Sequence, residues 1–215
     1  MRMGTETPKQ FLPLAGKPVL YHSVQAFLQA QPDVQVILVL PEAHLHRGAQ
    51  MIEEINVGGR VLITAGGKTR FESVQNGLQW VREESIVFVH DGVRCMVSAD
   101  LIKCCYQQAV EKGSAIPAVK ATDTIRIVEH GHHRLVDRNA VHIIQTPQTF
   151  QSALLLAAFN QPYRESFTDE ASVVEAMGKE VYLIDGAYDN IKITRPIDLL
   201  VGESLLQERS TFKQP

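Results

Sequence analysis

Cysteine is scarce in this sequence, and its placement argues against cross-links and against zinc. The 215 residues include three cysteines, Cys95, Cys104 and Cys105, an odd number with two members adjacent on a predicted helix. Such a set does not form a disulfide framework. No two cysteines have the C-x-x-C spacing that is typical of a zinc site. We therefore expect reduced thiols and a cytoplasmic protein.

A charge excess of one sign and a long apolar run are also missing. The chain carries 21 lysines and arginines against 24 aspartates and glutamates, a formal net charge of -3. This balance provides no general basic field for nucleic acid, so any anion-binding surface must be local. No apolar run approaches the ~18 residues of a membrane span, and the N-terminus lacks the layout of a secretory signal. We expect neither a nucleic-acid partner nor a membrane partner.

What the sequence does contain is an alternation of strands and helices. Its length suits one domain, 1–215. Short continuous apolar runs, which indicate strands buried on both faces, occur at Val34–Leu40, Arg60–Thr64 and Ile86–Val89. Helical periodicity covers Arg70–Glu84, and a second helix runs from an N-cap at Ser98 to Lys112, with Gly113 as its stop. The pattern predicts an α/β fold with a mostly parallel sheet flanked by helices.

A predicted β-hairpin interrupts the alternation at about residues 120–140. Thr124–Val128 and Arg134–Val136 are extended runs joined by a polar turn. Exposed hairpin edges are often covered by another subunit, so we expect a protruding arm and a homodimer. The remaining predicted elements are helices at 151–159 and 169–177, strands at 180–184 and 191–194, and a final helix from Pro196.

Glycines and an aspartate follow two of the strands, where ligands bind in open parallel sheets. Gly66, Gly67 and Ser73 lie in a turn that leads into a helix, which suits a nucleotide but is equally typical of a flexible turn. Asp91 and Gly92 follow Ile86–Val89. A carboxylate there could hold a divalent cation that bridges phosphates, or could cap the next segment.

Later polar residues have ordinary structural explanations too. Thr124 and Arg138 lie in turn-like segments of the hairpin, although an arginine can bind an anion through two hydrogen bonds. Thr146 precedes a proline, and alternation with isoleucines predicts that Lys192 faces solvent. Thr168 is the predicted N-cap of the helix at 169–177, with Asp169 and Glu170 in its first turn.

The first ten residues form a glycine-containing loop with two cations, Arg2 and Lys9. Two cations on such a loop suit a polyphosphate. A frayed basic terminus is the simpler interpretation of position alone.

The motifs taken in order indicate a protein family, which no single motif does. RMGTETPKQFLPLAGKPVL, GGKTRFESV, HDGVR, TDTI, VDRN, TPQTF, TDEAS and DNIKITRP occur in this order over nearly the whole chain. Together they resemble the 2-C-methyl-D-erythritol 4-phosphate cytidylyltransferases of the non-mevalonate isoprenoid pathway. The resemblance implies a Rossmann-like nucleotidyltransferase fold and transfer of a cytidylyl group from CTP to a sugar-alcohol phosphate. It implies Mg²⁺ or another divalent cation and no covalent enzyme intermediate.

The resemblance also implies residue roles. Those at the nucleotide are catalytic cations at Arg2 and Lys9, a metal-holding Asp91, and nucleotide-binding Gly66, Gly67, Ser73 and Gly92. Those at the acceptor are Lys192, which steers the incoming phosphate, Asp189, which holds its hydroxyls, and Thr124, Arg138 and Thr146 near its phosphate. In the family the hairpin crosses a twofold axis, so Thr124 and Arg138 would serve the site of the neighbouring subunit.

The sequence departs from the family pattern in two places. HDGVRC replaces HDAARP, and small Gly92 is compatible with a bound nucleotide. Family members begin with an apolar strand and a turn of the form AAGxGxRM, of which only Arg2 and Met3 are present. That strand would lie centrally in the sheet. Two alternatives stay open: a ribitol 5-phosphate cytidylyltransferase, or a non-catalytic nucleotide-binding dimer if the protein lacks the strand.

Overall fold

The computed structural model describes residues 7–55, 58–81 and 84–211. Its strands are β1 (Pro13–Leu14), β2 (Lys17–Pro18), β3 (Val36–Leu40), β4 (Val61–Ala65), β5 (Ile86–Val89), β6 (Ser114–Lys120), β7 (Ile125–Glu129), β8 (His132–Val136), β9 (His142–Ile144), β10 (Gln148–Gln151) and β11 (Leu183–Asp185). Its α-helices are α1 (Val19–Ala30), α2 (Leu45–Ile55), α3 (Arg70–Leu78), α4 (Ala99–Lys112), α5 (Ser152–Ala158), α6 (Glu170–Glu175) and α7 (Pro196–Thr211). Short 3-10 helices occur at Lys9–Phe11, Glu42–His44 and Arg138–Ala140.

The predicted α/β class is confirmed, but the prediction of a mostly parallel sheet is wrong, because the main sheet is mixed. Its order is β11–β6–β10–β5, and β9 also pairs with β6. β11 is parallel to β6, whereas β10 is antiparallel to both β5 and β6. A continuous apolar run indicates burial on both faces but does not give strand direction. Here the chain returns from the hairpin through β9 and β10, and this return reverses the direction.

A second, two-stranded parallel sheet is formed by β3 and β4, and it is not hydrogen-bonded to the main sheet. A cleft of about 1050 Å³ separates β3 from β5 and is lined by residues of both strands. Among residues 7–55, 58–81 and 84–211, no strand fills this gap.

Several predicted boundaries change. Helix α3 ends at Leu78 instead of Glu84, and the strand predicted at 180–184 lies at Leu183–Asp185. The strand predicted at 191–194 is wrong, because this segment has no strand partner, although Ile193 is buried and Lys192 exposed as alternation predicts. The capping residue of α6 is Asp169, not Thr168. Its carboxylate accepts the Ser172 N–H, which a threonine one position earlier does not reach.

Local signals placed α4 and the hairpin correctly. Ser98 caps α4 by accepting the Leu101 N–H, and Gly113 ends it in the left-handed conformation at φ 88°. Strands β7 and β8 pair antiparallel as the predicted hairpin. Helices cover the sheet, and their apolar faces form the core with Phe150, Leu155 and Ile102, which are fully buried. Within the described part of the chain, no helix has the length and hydropathy required to cross a membrane.

Candidate active site

Asp91 lies just beyond β5 and is surrounded by three cations. Lys192 Nζ is 2.8 Å and Arg94 Nε 3.6 Å from Asp91 Oδ2, and Arg70 Nη2 is 3.9 Å from Asp91 Oδ1. Burial acts to raise the pKa of Asp91, but the hydrogen bond and charge of Lys192 and the charges of the two arginines lower it below its ordinary value. The carboxylate is therefore ionised at neutral pH, and the cluster carries a net positive charge that suits polyanions.

Main-chain contacts bring Lys192 to this position. Ile193 N–H donates to Val93 O at 2.9 Å, which ties the DNIK segment to the turn after β5. The side chain of Arg94 donates from Nη1 to Asn190 O at 3.0 Å. Asn190 is fully buried, so the residues on either side of it are fixed to the same turn. Two segments about 100 residues apart in sequence are thus joined at one carboxylate.

The hydroxyl of Thr146 is used inside the protein. Its Oγ1 accepts the Asp91 N–H at 3.1 Å and lies 3.0 Å from His90 Nδ1. His90 Nε2 lies 3.0 Å from Arg94 O, a carbonyl that can only accept. The proton therefore sits on Nε2, and the Thr146 hydroxyl donates to Nδ1. Burial lowers the pKa of His90 to about 4, which agrees with this neutral ring.

This result gives Thr146 a structural role that the sequence did not show. Its proton is already donated, so a hydrogen bond to the acceptor phosphate would require the contact with His90 to break. The predicted role of Thr146 in substrate binding stays a prediction. His90 is one of the residues that sequence reasoning missed, since nothing in the local pattern distinguishes it from a strand-end histidine.

The glycine loop before α3 is packed tightly against the first turn of that helix. A Cβ on Gly66 would lie 2.8 Å from Ser73 Oγ, and a Cβ on Gly67 would collide with the Cβ of Glu72. Gly67 N–H donates to Ser73 Oγ at 3.1 Å, and Thr69 forms a capping box with Glu72. The glycines are therefore required by helix packing. Their predicted contact with a nucleotide remains a prediction.

The cleft between β3 and β5 reaches this cluster. Gly92, Ser73, Arg70 and Asp91 are among its lining residues, and a Cβ on Gly92 would lie 2.7 Å from a methyl carbon of Leu20. Of the predicted nucleotide-binding residues, Ser73, Asp91 and Gly92 thus share the surface of this cleft.

Arg70 and Glu170 form an ion pair that sequence reasoning also missed. Arg70 Nη1 and Nη2 donate to the two carboxylate oxygens of Glu170 at 2.5 and 2.8 Å, and Glu170 is fully buried. The local pattern places Glu170 in a helix cap and gives the arginine of GGKTR no role. The available signal was an arginine three residues after Gly67, but its partner is 100 residues away.

The hairpin residues lie apart from the Asp91 cluster. Thr124 and Arg138 are exposed, and Arg138 Nη1 donates to Thr122 O at 3.1 Å. Among the contacts of the described residues, none joins either side chain to Asp91. The hairpin exposes two large apolar side chains, Val128 and Leu135. The single chain does not bring Thr124 and Arg138 to the cluster, and their service to a neighbouring subunit stays a prediction.

The remaining predicted residues are placed as follows. Asp189 is half-buried, and its Oδ2 accepts from Arg209 Nη2 of α7 at 2.5 Å. Lys9 lies in the 3-10 helix Lys9–Phe11, which buried Phe11 anchors in the core. Arg2 lies outside the described residues.

A divalent cation fits this site only together with a substrate. Among the described residues, no group of three His, Cys, Asp or Glu side chains could hold a metal by itself. Mg²⁺ is usually bound through one or two carboxylates plus the phosphates of a nucleotide, and Asp91 is a carboxylate of that kind. Arg94 Nε is buried and finds no hydrogen-bond partner in the described part of the chain. Asp91 Oδ2, its ion-pair partner, is 3.6 Å away, so this cationic donor can also face a phosphate oxygen of a metal-bound nucleotide.

Fold and cluster together define an α/β enzyme that handles phosphate-bearing substrates. The family model described as "IspD: 2-C-methyl-D-erythritol 4-phosphate cytidylyltransferase" matches residues 1–208, and the chain belongs to this family. A relative from Bacteroides fragilis with that name is 45% identical over 206 residues, covering 96% of this chain and 94% of the relative.

Solved structures agree with this assignment. The 2-C-methyl-D-erythritol 4-phosphate cytidylyltransferase of Thermus thermophilus superposes with a TM-score of 0.74 at 31% identity, covering 93% of this chain and 94% of that one. The 4-diphosphocytidyl-2C-methyl-D-erythritol synthase of Anaerococcus prevotii superposes with a TM-score of 0.83 at 25% identity, with coverage of 96% and 93%.

Proposed function

We propose that this protein transfers the cytidylyl group of CTP to 2-C-methyl-D-erythritol 4-phosphate, releasing pyrophosphate, in isoprenoid precursor biosynthesis. The observation that carries the proposal is the family match over residues 1–208. The relatives named above have methylerythritol phosphate in their names, which disfavours the ribitol phosphate alternative. The cationic cluster at Asp91 supports the same chemistry.

The reaction needs no covalent intermediate on the enzyme. A phosphate oxygen of the acceptor attacks the α-phosphorus of CTP and forms a new P–O bond. The bond from the α-phosphorus to the bridging oxygen breaks, and pyrophosphate leaves with the electron pair. The protein must hold two polyanions together and neutralise the charge that develops on the transferred group. Lys192, Arg70 and Arg94 around Asp91 supply fixed positive charge for that purpose.

A divalent cation completes the proposed site. Bound with the triphosphate, Mg²⁺ would supply charge neutralisation at the phosphate oxygens. Asp91 would hold it, since the Arg70 guanidinium that faces Asp91 Oδ1 stays 3.9 Å away, while Lys192 Nζ contacts Oδ2 at 2.8 Å. Lys192 can then exchange Asp91 for the incoming acceptor phosphate, because its side chain is 41% exposed. Arg2 and Lys9 are proposed to contact the triphosphate.

The acceptor site is proposed to form at a dimer interface. The exposed hairpin would carry Thr124 and Arg138 to the neighbour's Lys192. Mixing Arg138→Ala and Lys192→Ala proteins tests this arrangement, because a heterodimer would contain one intact site. We expect two nearly inactive proteins to recover about a quarter of wild-type activity after subunit exchange. A mixture as inactive as its components, with exchange demonstrated by differently tagged subunits, would refute the shared site.

The test of the reaction is pyrophosphate release from CTP. We expect release with 2-C-methyl-D-erythritol 4-phosphate and Mg²⁺, little release with ribitol 5-phosphate, and none when a chelator removes the metal. Release with ribitol 5-phosphate alone would overturn the substrate assignment. Binding of CTP without release with either acceptor would favour the non-catalytic nucleotide-binding alternative.

A further inference from the structure

Glu170 carries a buried negative charge that the proposed mechanism does not use. It lies in the first turn of α6, and its side chain has no exposed surface. Burial raises the pKa of Glu170 above its ordinary value, although the hydrogen bonds and charge of Arg70 act to lower it. A buried carboxylate is costly unless it is paired, and here the pairing is bidentate. Because such a pair is costly to bury, we expect Glu170 to have a structural or functional role.

Helix α6 holds Glu170 in a fixed place. Gln148 is buried on β10, where its Oε1 accepts the Ala171 N–H at 2.8 Å and its Nε2 donates to Asp169 Oδ2 at 2.8 Å. Ser172 and Asp169 complete a capping box at the same end of the helix. The first turn of α6 is thereby tied to the central strand of the main sheet. Glu170 is therefore a fixed anchor, and the longer Arg70 side chain adapts to it.

The same guanidinium group also faces Asp91. Arg70 Nη2 lies 2.8 Å from Glu170 Oε2 but 3.9 Å from Asp91 Oδ1. The second distance is about 1 Å longer than a charge-assisted hydrogen bond, ~2.7–2.9 Å. Two carboxylates thus compete for one arginine, and the hydrogen bonds of Arg70 go to the buried carboxylate of Glu170. Arg70 stays close enough to act on Asp91 electrostatically, but it does not occupy Oδ1.

We propose that Glu170 is a positioning residue that withholds Arg70 from Asp91, so that Asp91 Oδ1 is open to the cation of a metal–triphosphate complex. This inference rests on the proposed function, because it concerns the same metal-holding carboxylate. Without the charge of Glu170, Arg70 closes onto Asp91 and competes with the cation. Fixed arrangement of Arg70 also places its positive charge beside the triphosphate.

The test measures how strongly Mg²⁺ improves CTP binding, by calorimetric titration of CTP with excess Mg²⁺ and with excess chelator. The ratio of the two dissociation constants reports the metal site without any turnover. For Glu170→Gln we expect this ratio to fall about tenfold, on the order of one charge-assisted hydrogen bond gained by the competitor. Glu175→Gln, at the exposed end of the same helix, is the matched control and should keep the wild-type ratio.

A double variant separates positioning from mere structural support. Arg70→Met with Glu170→Met replaces the pair by apolar side chains of similar size, a change that buried ion pairs often tolerate. It removes the competitor together with its anchor, so the Mg²⁺ effect should return toward the wild-type ratio. A purely structural role predicts instead that the double variant is at least as impaired as Glu170→Gln.

The outcomes distinguish this inference from the proposed function. Wild-type CTP binding that does not respond to Mg²⁺ would overturn the metal site itself, and with it both proposals. A wild-type response that Glu170→Gln leaves unchanged would overturn only the role of Glu170. Loss of the response in both the single and the double variant would do the same.

Discussion

His90 gives the protein a specific weakness toward acid. Its neutral ring donates from Nε2 to Arg94 O and accepts the Thr146 hydroxyl at Nδ1. Burial lowers its pKa from 6.5 to about 4. In the unfolded chain the same histidine is protonated near its ordinary pKa. Between these two values the unfolded state binds the proton and the folded state does not, so stability is complete above about pH 6.5 and is lost as the pH falls toward 4.

The size of this effect follows from the two pKa values. With a pKa of about 4 in the folded state and 6.5 in the unfolded state, proton binding lowers the free energy of unfolding by about 2 kcal/mol between about pH 7.5 and about pH 5. The limit below the folded pKa is about 3.4 kcal/mol, from ~1.36 kcal/mol per pKa unit. The variant His90→Gln removes the titrating ring, while its amide can still donate toward the Arg94 carbonyl.

Urea unfolding at about pH 7.5 and about pH 5, followed by circular dichroism, measures the effect. The wild-type protein should lose about 2 kcal/mol more than His90→Gln between the two conditions. Other titrating groups, including Glu170, are common to both proteins and cancel in this comparison. His132→Gln, on the exposed hairpin, controls for removal of a histidine as such. Equal losses in wild-type and His90→Gln proteins would refute the reasoning about the buried neutral ring.

Three further substitutions test the site and its support. Lys192→Ala should lower turnover in the pyrophosphate assay at least ~100-fold. It should change the free energy of unfolding by less than ~1 kcal/mol, because the lysine end of its salt bridge to Asp91 is partly exposed. A loss of stability as large as the loss of activity would contradict a catalytic role. Gly67→Ala should destabilise the protein by ~1–3 kcal/mol in urea unfolding, because the new Cβ collides with Glu72. An unchanged urea midpoint would show that the loop can shift. Asn190→Ala should lower the free energy of unfolding by ~1–3 kcal/mol in the same assay, because its buried side chain donates to the Thr146 carbonyl at 2.9 Å. An unchanged free energy would mean that water replaces the lost amide.

Much of the fold is encoded in local signals, and those were predictable. A serine cap and a glycine stop define α4, and two extended runs around a polar turn define the β7–β8 hairpin. Strand direction is not a local property. An apolar run such as Ile86–Val89 has the same composition whether its partners run parallel or antiparallel, and the reversal depends on how the chain returns from the hairpin.

Helix α6 shows how close a local prediction can come and still miss. Thr168 and Asp169 are both good capping residues, and sequence alone does not rank them. The choice of Asp169 follows from tertiary contacts, because Gln148 on β10 donates to its carboxylate and fixes the start of the helix. Glu170, predicted only as an acidic residue of the first helical turn, is fully buried and pairs with an arginine 100 residues earlier.

Lys192 shows that the two interpretations of one residue need not exclude each other. Alternation with buried isoleucines predicts a solvent-facing lysine, and the side chain is indeed 41% exposed. The family motif predicts a lysine at the reaction centre, and the same side chain reaches Asp91 at 2.8 Å. A lysine that must release a carboxylate to receive an incoming phosphate is better placed at such a half-open position than in the fully buried environment of Glu170.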